Sequence, residues 1–247
     1  VQRPSDSIVI DAQPTKGITV KHRNATQRVK AFRIIPTAGT TAIALAVALS
    51  FGASAHAERI VVPAIPPNLQ LPDGNHPFLV GHALGTQNYI CVPSSTSATG
   101  VTYTLFTPEA TLFDDDFKQL ITHFFSPNPF EANANPAVVA DGAIRATWQA
   151  ADNSSVWAQV KKDRFGNPEQ STDPAFVKEG AVAWVKLTAV GKEAGLTGGD
   201  RLAHTTFVHR LSTEGGVPPG TGCASTADLG NQAFVPYKAD YFFYTDQ

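Results

Sequence analysis

Strict alternation of apolar and polar residues most constrains what this chain can fold into. Ile144, Ala146 and Trp148 share one face of a segment whose other face carries Arg145, Thr147 and Gln149. Val156, Ala158 and Val160 alternate in the same way with Trp157, Gln159 and Lys161. Successive side chains of an extended strand point to opposite faces, so half-polar alternation describes sheets with one wet face. No segment of the 58–247 region keeps apolar residues at helical spacing for three turns, which argues against a helical core. Strands are predicted at 87–92, 101–107, 119–125, 143–150, 155–161, 181–190, 202–212 and 239–244. Asp152-Asn153 reads as a hairpin turn. Asp114-Asp115-Asp116 and Gly198-Gly199-Asp200 punctuate other runs. Long connections at 126–141, 163–180 and 213–234 are rich in Pro, Asn and Gly. The pattern predicts an all-β fold, an antiparallel β-sandwich or barrel of about eight strands with long loops. The aromatic run Tyr237, Tyr241, Phe242, Phe243, Tyr244 is expected to fill both faces of a last strand and close the sheet. No internal repeat is visible, so solenoids and propellers are not expected.

The first 57 residues follow a different logic. They hold seven Lys/Arg against two Asp, leaving twelve bases and nineteen acids for 58–247. The basic stretch runs into an uncharged apolar segment, Thr40 to Ala55, and then Ala55-His56-Ala57. A basic region, a short apolar core and a small-residue exit make up a secretory signal peptide, and the apolar run is short for a membrane span. Residues 1–57 are therefore expected to be a leader cleaved after Ala57, with 1–20 as upstream sequence. Residues 58–77, with five prolines, form an extended lead-in. Residues 78–247 form a single β domain, secreted to the periplasm or outside, with no membrane span once the leader is gone.

Cys91 and Cys223 are the chain's two cysteines. After export they suggest one disulfide, with two buried free thiols as the alternative. The 58–247 region lacks a G-x-S-x-G elbow, an H-E-x-x-H pair and a P-loop. Its excess of acids, with no basic stripe beyond Lys161-Lys162, argues against nucleic-acid binding.

Several separated motifs are informative together. Gly85-Thr86-Gln87-Asn88-Tyr89-Ile90-Cys91 opens the domain, and Leu112-Phe113, an acidic turn and His123-Phe124 follow. Then come Thr147-Trp148, Asp152-Asn153-Ser154-Ser155-Val156, Arg210, Thr213-Glu214-Gly215-Gly216-Val217-Pro218 and Cys223. The chain closes on Val235-Pro236-Tyr237-Lys238-Ala239-Asp240-Tyr241-Phe242-Phe243-Tyr244. Over roughly residues 70–247 this resembles the secreted bacterial and fungal domain-of-unknown-function family numbered 3455. The resemblance implies export and a similar cysteine pair; it implies no activity. Some fungal relatives carry a malate dehydrogenase label, but this chain has no G-x-G-x-x-G between a strand and a helix to hold a dinucleotide. Phe130-Glu131-Ala132-Asn133-Ala134-Asn135 stands where relatives are shorter.

The candidate binding residues are His123, Trp148, Trp157, Arg210, Thr213 and Glu214. His123 and Trp148 lie in shared motifs. Trp157 faces outward on its strand, where an exposed indole offers a platform or a neighbouring loop covers it. The segment from Arg210 to Cys223 is the expected functional edge. Phe207 and Leu211 face the core, Gly215 and Gly216 permit positive φ, and Cys223 pins the far end. Arg210 paired to Glu214 as a loop brace is the alternative. His82, His204 and His209 complete the set of candidate histidines, but His204 and His209 fall on opposite faces of one continuous strand. No metal or cofactor is expected. Asp114-Asp115-Asp116 reads as an acidic turn rather than a calcium loop. Asn153-Ser154-Ser155 is a glycosylation sequon if the host is eukaryotic.

The leading expectation is a non-enzymatic exported β domain binding a surface polysaccharide or protein partner. The rival is a secreted hydrolase or metal-dependent enzyme with a site built from His123, Arg210 and Glu214.

Overall fold

The alternating segments pair into one antiparallel sheet that closes on itself. The computed structural model describes residues 59–130 and 144–247; the expected leader over 1–57 and the Glu131–Asn135 part of the insert lie outside them. The strands are β1 (His76–Pro93), β2 (Val101–Phe113), β3 (Gln119–Pro127), β4 (Ile144–Ala150), β5 (Ser155–Val160), β6 (Gln170–Ser171), β7 (Trp184–Glu193), β8 (Phe207–Gly215) and β9 (Gln232–Thr245). Their order is β5-β4-β3-β2-β1-β9-β8-β7-β6, and β5 also pairs with β7. Eight strands thus form a closed antiparallel barrel. The ninth, β6, continues the line of β5. Val160 ends β5 opposite Leu187, and Gln170 and Ser171 then face Val185 and Trp184 on the same side of β7.

Inward parity builds the barrel core. Ala83, Leu112, Ile121, Trp148, Val156, Ala158, Val208, Tyr241 and Phe243 pack together there. The β7–β8 connection adds a plug, with fully buried Leu202 reaching the same core. It is held from the β4–β5 turn, where the Ser154 hydroxyl accepts the Leu202 N–H at 3.0 Å and Asp152 Oδ2 accepts the Arg201 N–H at 3.0 Å. Asn153 makes that turn at φ 65°, as expected for Asp-Asn between two strands.

Outward parity builds a second core. Trp184, Leu211, Phe242 and Tyr244 face away from the barrel lumen and pack with Leu69, while Ile60, Val62, Ile65 and Leu71 lie against them. The Pro-rich stretch is extended apart from a 3-10 turn, Pro67–Leu69, and a turn at Asp73-Gly74, and it covers this wall. Its apolar residues have no helix or second sheet to join, so they lie along β7, β8 and β9. Polar anchors fix it in place. His209 donates Nε2–H to the Leu69 carbonyl at 2.9 Å, and Lys186 Nζ donates to the Gln70 carbonyl at 3.0 Å.

Cys91 and Cys223 form a disulfide, as expected for an exported pair. It joins β1 to the long β8–β9 connection across 132 residues of sequence. In the chain-entropy model a closed loop of that length restricts the unfolded chain by about 5 kcal/mol, an upper figure. The same loop is held by Gly230 N–H to Cys91 O and Cys91 N–H to Asn231 O, both at 2.9 Å. Gly215 and Gly216 have φ of 65° and 83°, the left-handed turn that adjacent glycines permit.

Candidate functional site

Cross-strand pairs carry polar side chains into the barrel. His123 on β3 sits opposite Trp148 on β4, and Arg210 on β8 sits opposite Tyr241 on β9 and Val185 on β7. Gln87 on β1 and Gln170 on β6 join them around a cavity of about 210 Å³. Its apolar walls include Leu105, Phe125, Val160 and Leu187. The half of the barrel that carries the β2–β3, β4–β5 and β7–β8 connections is filled by Ile121, Ala150, Val156 and Leu202. The cavity lies in the other half. Its lining passes from buried Trp148, Tyr241 and His123 to half-buried Arg210 and exposed Gln170.

The electrostatics are one-sided. Among the described residues the lining contains one formal charge, Arg210, and no serine, threonine, cysteine or carboxylate. Arg210 donates Nε–H and Nη2–H to the Ala183 carbonyl at 3.3 and 2.9 Å. The His123 ring stacks on Trp148, with centroids 4.4 Å apart and planes within 5°. Its Nδ1–H donates to the Thr147 carbonyl at 2.8 Å, which leaves Nε2 with a lone pair. Burial lowers the His123 pKa to about 3; the Thr147 carbonyl opposes this and Arg210 adds to it. The ring is therefore neutral at any ordinary pH. Burial raises the Tyr241 hydroxyl, and Arg210 partly offsets that. The Tyr241 hydroxyl meets that of Tyr237 at 3.3 Å. Two buried donors line the cavity: the Gln87 amide, which leans on the Tyr237 hydroxyl, and Trp148 Nε1, which has no hydrogen-bond partner.

Not every candidate from the sequence converges here. His123, Trp148 and Arg210 do. Glu214 is exposed on the outside, with its carboxylate 2.8 Å from Lys178 Nζ, so the expected Arg210–Glu214 brace is replaced by Lys178–Glu214. The reason is parity: Phe207 and Leu211 point outward into the second core, so Arg210 points inward. Thr213 is buried and donates its hydroxyl to the Val182 carbonyl at 2.6 Å, a structural role. Trp157 faces outward as expected but is 6% exposed. The Phe130 ring covers it edge-on at 5.8 Å, and its Nε1–H donates to Ser126 Oγ at 2.9 Å. The histidines stand apart too. His204 lies in the β7–β8 connection, off the strand it was expected to share with His209. His82 is outside the barrel between Asp240, at 2.7 Å, and Asp115, at 3.1 Å, and the carboxylates raise its pKa against the opposing effect of burial. Asp114 accepts the Asp116 and Lys118 N–H groups within its own turn. No cluster of three or more His, Cys, Asp or Glu suited to a metal occurs among the described residues.

Gln87, Gln170 and Tyr241 were not singled out as site residues from the sequence. The signal was present in Gln87, a large polar residue in a strand read as half-buried.

Residues 72–245 match the sequence profile described as protein of unknown function DUF3455. The chain belongs to the DUF3455 family. The match spans all nine strands of the DUF3455 barrel almost end to end, and it includes Gln87, His123, Trp148, Arg210 and Tyr241. No curated protein and no solved structure matches the chain.

Proposed function

We propose that this chain is an exported, non-catalytic binding barrel that takes a small guest into the cavity beside Arg210 and His123. The observation that carries the reading is the cavity itself, about 210 Å³ of space inside a closed barrel with polar groups on its wall. Eight-stranded barrels either fill with side chains or hold one small ligand. A cavity of about 150 Å³ already accommodates benzene. The lack of a nucleophile or carboxylate in the described lining favours binding over hydrolysis. Trp157 is capped by Phe130, which favours the cavity over an exposed aromatic platform for a polysaccharide.

Benzamide, a neutral aromatic probe, is expected to bind and to change the protein's tryptophan fluorescence, because Trp148 lines the cavity. Ala146→Phe places a ring in the same space. It is expected to weaken that binding by about tenfold or more with the fold intact. Undiminished binding in the filled variant contradicts the reading.

Export rests on the leader at 1–57 and on the Cys91–Cys223 disulfide, a bond that persists in oxidising compartments. Among the described residues no helix is long and apolar enough to cross a membrane. In this reading 58–77 is the lead-in and 78–247 the working domain. N-terminal sequencing of the secreted product is expected to begin at Glu58; a product that keeps residues 1–57 contradicts it.

A further inference from the structure

We infer that the cavity takes a small organic anion, a carboxylate on a flat apolar body, with the carboxylate on Arg210. This rests on the binding-barrel reading above and gives its guest a chemical class.

The donors on the wall are the argument. A guanidinium has five N–H groups in a planar fork and never loses its charge in a protein. Arg210 directs two of them at the Ala183 carbonyl. Ion pairs between described residues include His82 with Asp115 and Asp240, Lys178 with Glu214, and Lys186 with Glu169. None of these involves Arg210. Arg210 is a half-buried charge turned into a barrel with the Tyr241 hydroxyl but no carboxylate beside it, and charges withdrawn from water are normally paired with an opposite charge. Gln87 and Trp148 repeat the pattern without charge. The two residues are 1% and 0% exposed; Gln87 has only the neighbouring Tyr237 hydroxyl to donate to, and Trp148 Nε1 has no acceptor. Buried polar groups are ordinarily satisfied, and an orphan in a cavity wall asks for a guest atom. The unfilled Trp148 N–H and the spare N–H groups of Arg210 around one space call for an oxygen-rich, electron-rich guest. Planar bidentate contact is what arginine offers a carboxylate. Leu105, Val160 and Leu187 ask for an apolar body on the same guest. The volume sets its size at about ten non-hydrogen atoms.

Benzoate and benzamide separate the alternatives, since they share shape and differ in charge. Each is titrated against the secreted protein by calorimetry, with acetate and chloride as small-anion controls. Benzoate is expected to bind about tenfold or more tightly than benzamide, acetate and chloride. In Arg210→Met the preference over benzamide is expected to vanish while benzamide still binds. Should Arg210→Met fail to fold, the benzoate-to-benzamide ratio of the unaltered protein decides alone, and Gln87→Leu is expected to reduce it. Equal affinities for the two probes overturn the anion assignment and leave the binding barrel standing. Acetate or chloride binding as well as benzoate overturns the organic body. If neither aromatic probe binds, the cavity reading fails and this inference fails with it. Benzoate affinity unchanged in Ala146→Phe places the anion outside the cavity and overturns the proposal.

Discussion

Gly85→Val is expected to abolish the folded barrel. Gly85 sits on β1 between Ala110 on β2 and Tyr237 on β9. A Cβ there would overlap the Glu109 carbonyl oxygen and lie 2.5 Å from the Ala110 Cα. Those are backbone atoms of a neighbouring strand, so no rotamer change relieves the clash. The β1–β2 and β1–β9 ladders hold β1 on both sides, and displacing it opens the closed sheet. The loss should be about 4 kcal/mol or more, a substantial share of the stability of a domain this size. Gly220→Ala is the control, because a Cβ at Gly220 meets nothing; its effect should stay within about 0.5 kcal/mol. Urea unfolding of both variants checks this. A Gly85→Val protein as stable as the parent contradicts the packing described for β1 and β2.

Acid is expected to unfold the protein through two buried histidines. His123 has its pKa lowered to about 3 by burial, with Arg210 adding to it. His209 is lowered to about 4, again by burial first, with Lys186 adding to it and the Leu69 carbonyl opposing. In the unfolded chain both titrate near the ordinary value of about 6.5. Between those limits the unfolded state binds more protons, so the stability held at neutral pH drains as pH falls below the unfolded value. Each histidine contributes a slope of up to about 1.4 kcal/mol per pH unit, so the pair approaches about 3 kcal/mol per unit between pH 6 and 4. His82 acts in the opposite sense. Its raised pKa adds stability below the unfolded value and loses it as pH rises through the folded one. With Asp115 exposed and His82 and Asp240 partly exposed, solvent screens that contribution to below about 1 kcal/mol. Unfolding free energy measured from pH 7 to 4 should fall steeply, and His209→Gln should flatten the curve by roughly half. A flat profile across that range contradicts the burial of both rings.

The strand core of the fold was legible because one periodicity dominated it. Each of the eight predicted segments overlaps a barrel strand, although 181–183 and 202–206 lie in the connections before β7 and β8, and Trp148, Val156 and Ala158 point inward on the parity the alternation assigned. What escaped has physical causes. The first half of β1 contains Pro77, Gly81 and Gly85, and the later half of β2 starts at Pro108. These residues lower strand propensity and are tolerated here because the strands approach closely or end their pairing. β6 is two residues long, and its pairing depends on where β5 leaves the edge of β7. Arg210 was a candidate, but that it faces the lumen escaped for a different reason. Alternation shows which residues share a face but not which face is the lumen. On β8 the outward residues Phe207 and Leu211 are apolar because the lead-in around Leu69 covers them. The apolar face was read as the core, and the polar one turned out to line the cavity. Trp157 was assigned the correct face, yet its cover comes from Phe130, a loop residue that no periodicity announces.

The indole N–H of Trp148 is the most direct witness of a guest in the barrel. It lines the cavity, is fully buried and has no acceptor in the protein. Titrating benzoate into labelled protein and following the three tryptophan indole resonances tests the central claim. The account predicts a saturable downfield shift of the Trp148 signal, with that of Trp157, already bonded to Ser126, unmoved. A Trp148 signal that stays in place with benzoate and with benzamide alike would contradict the binding barrel.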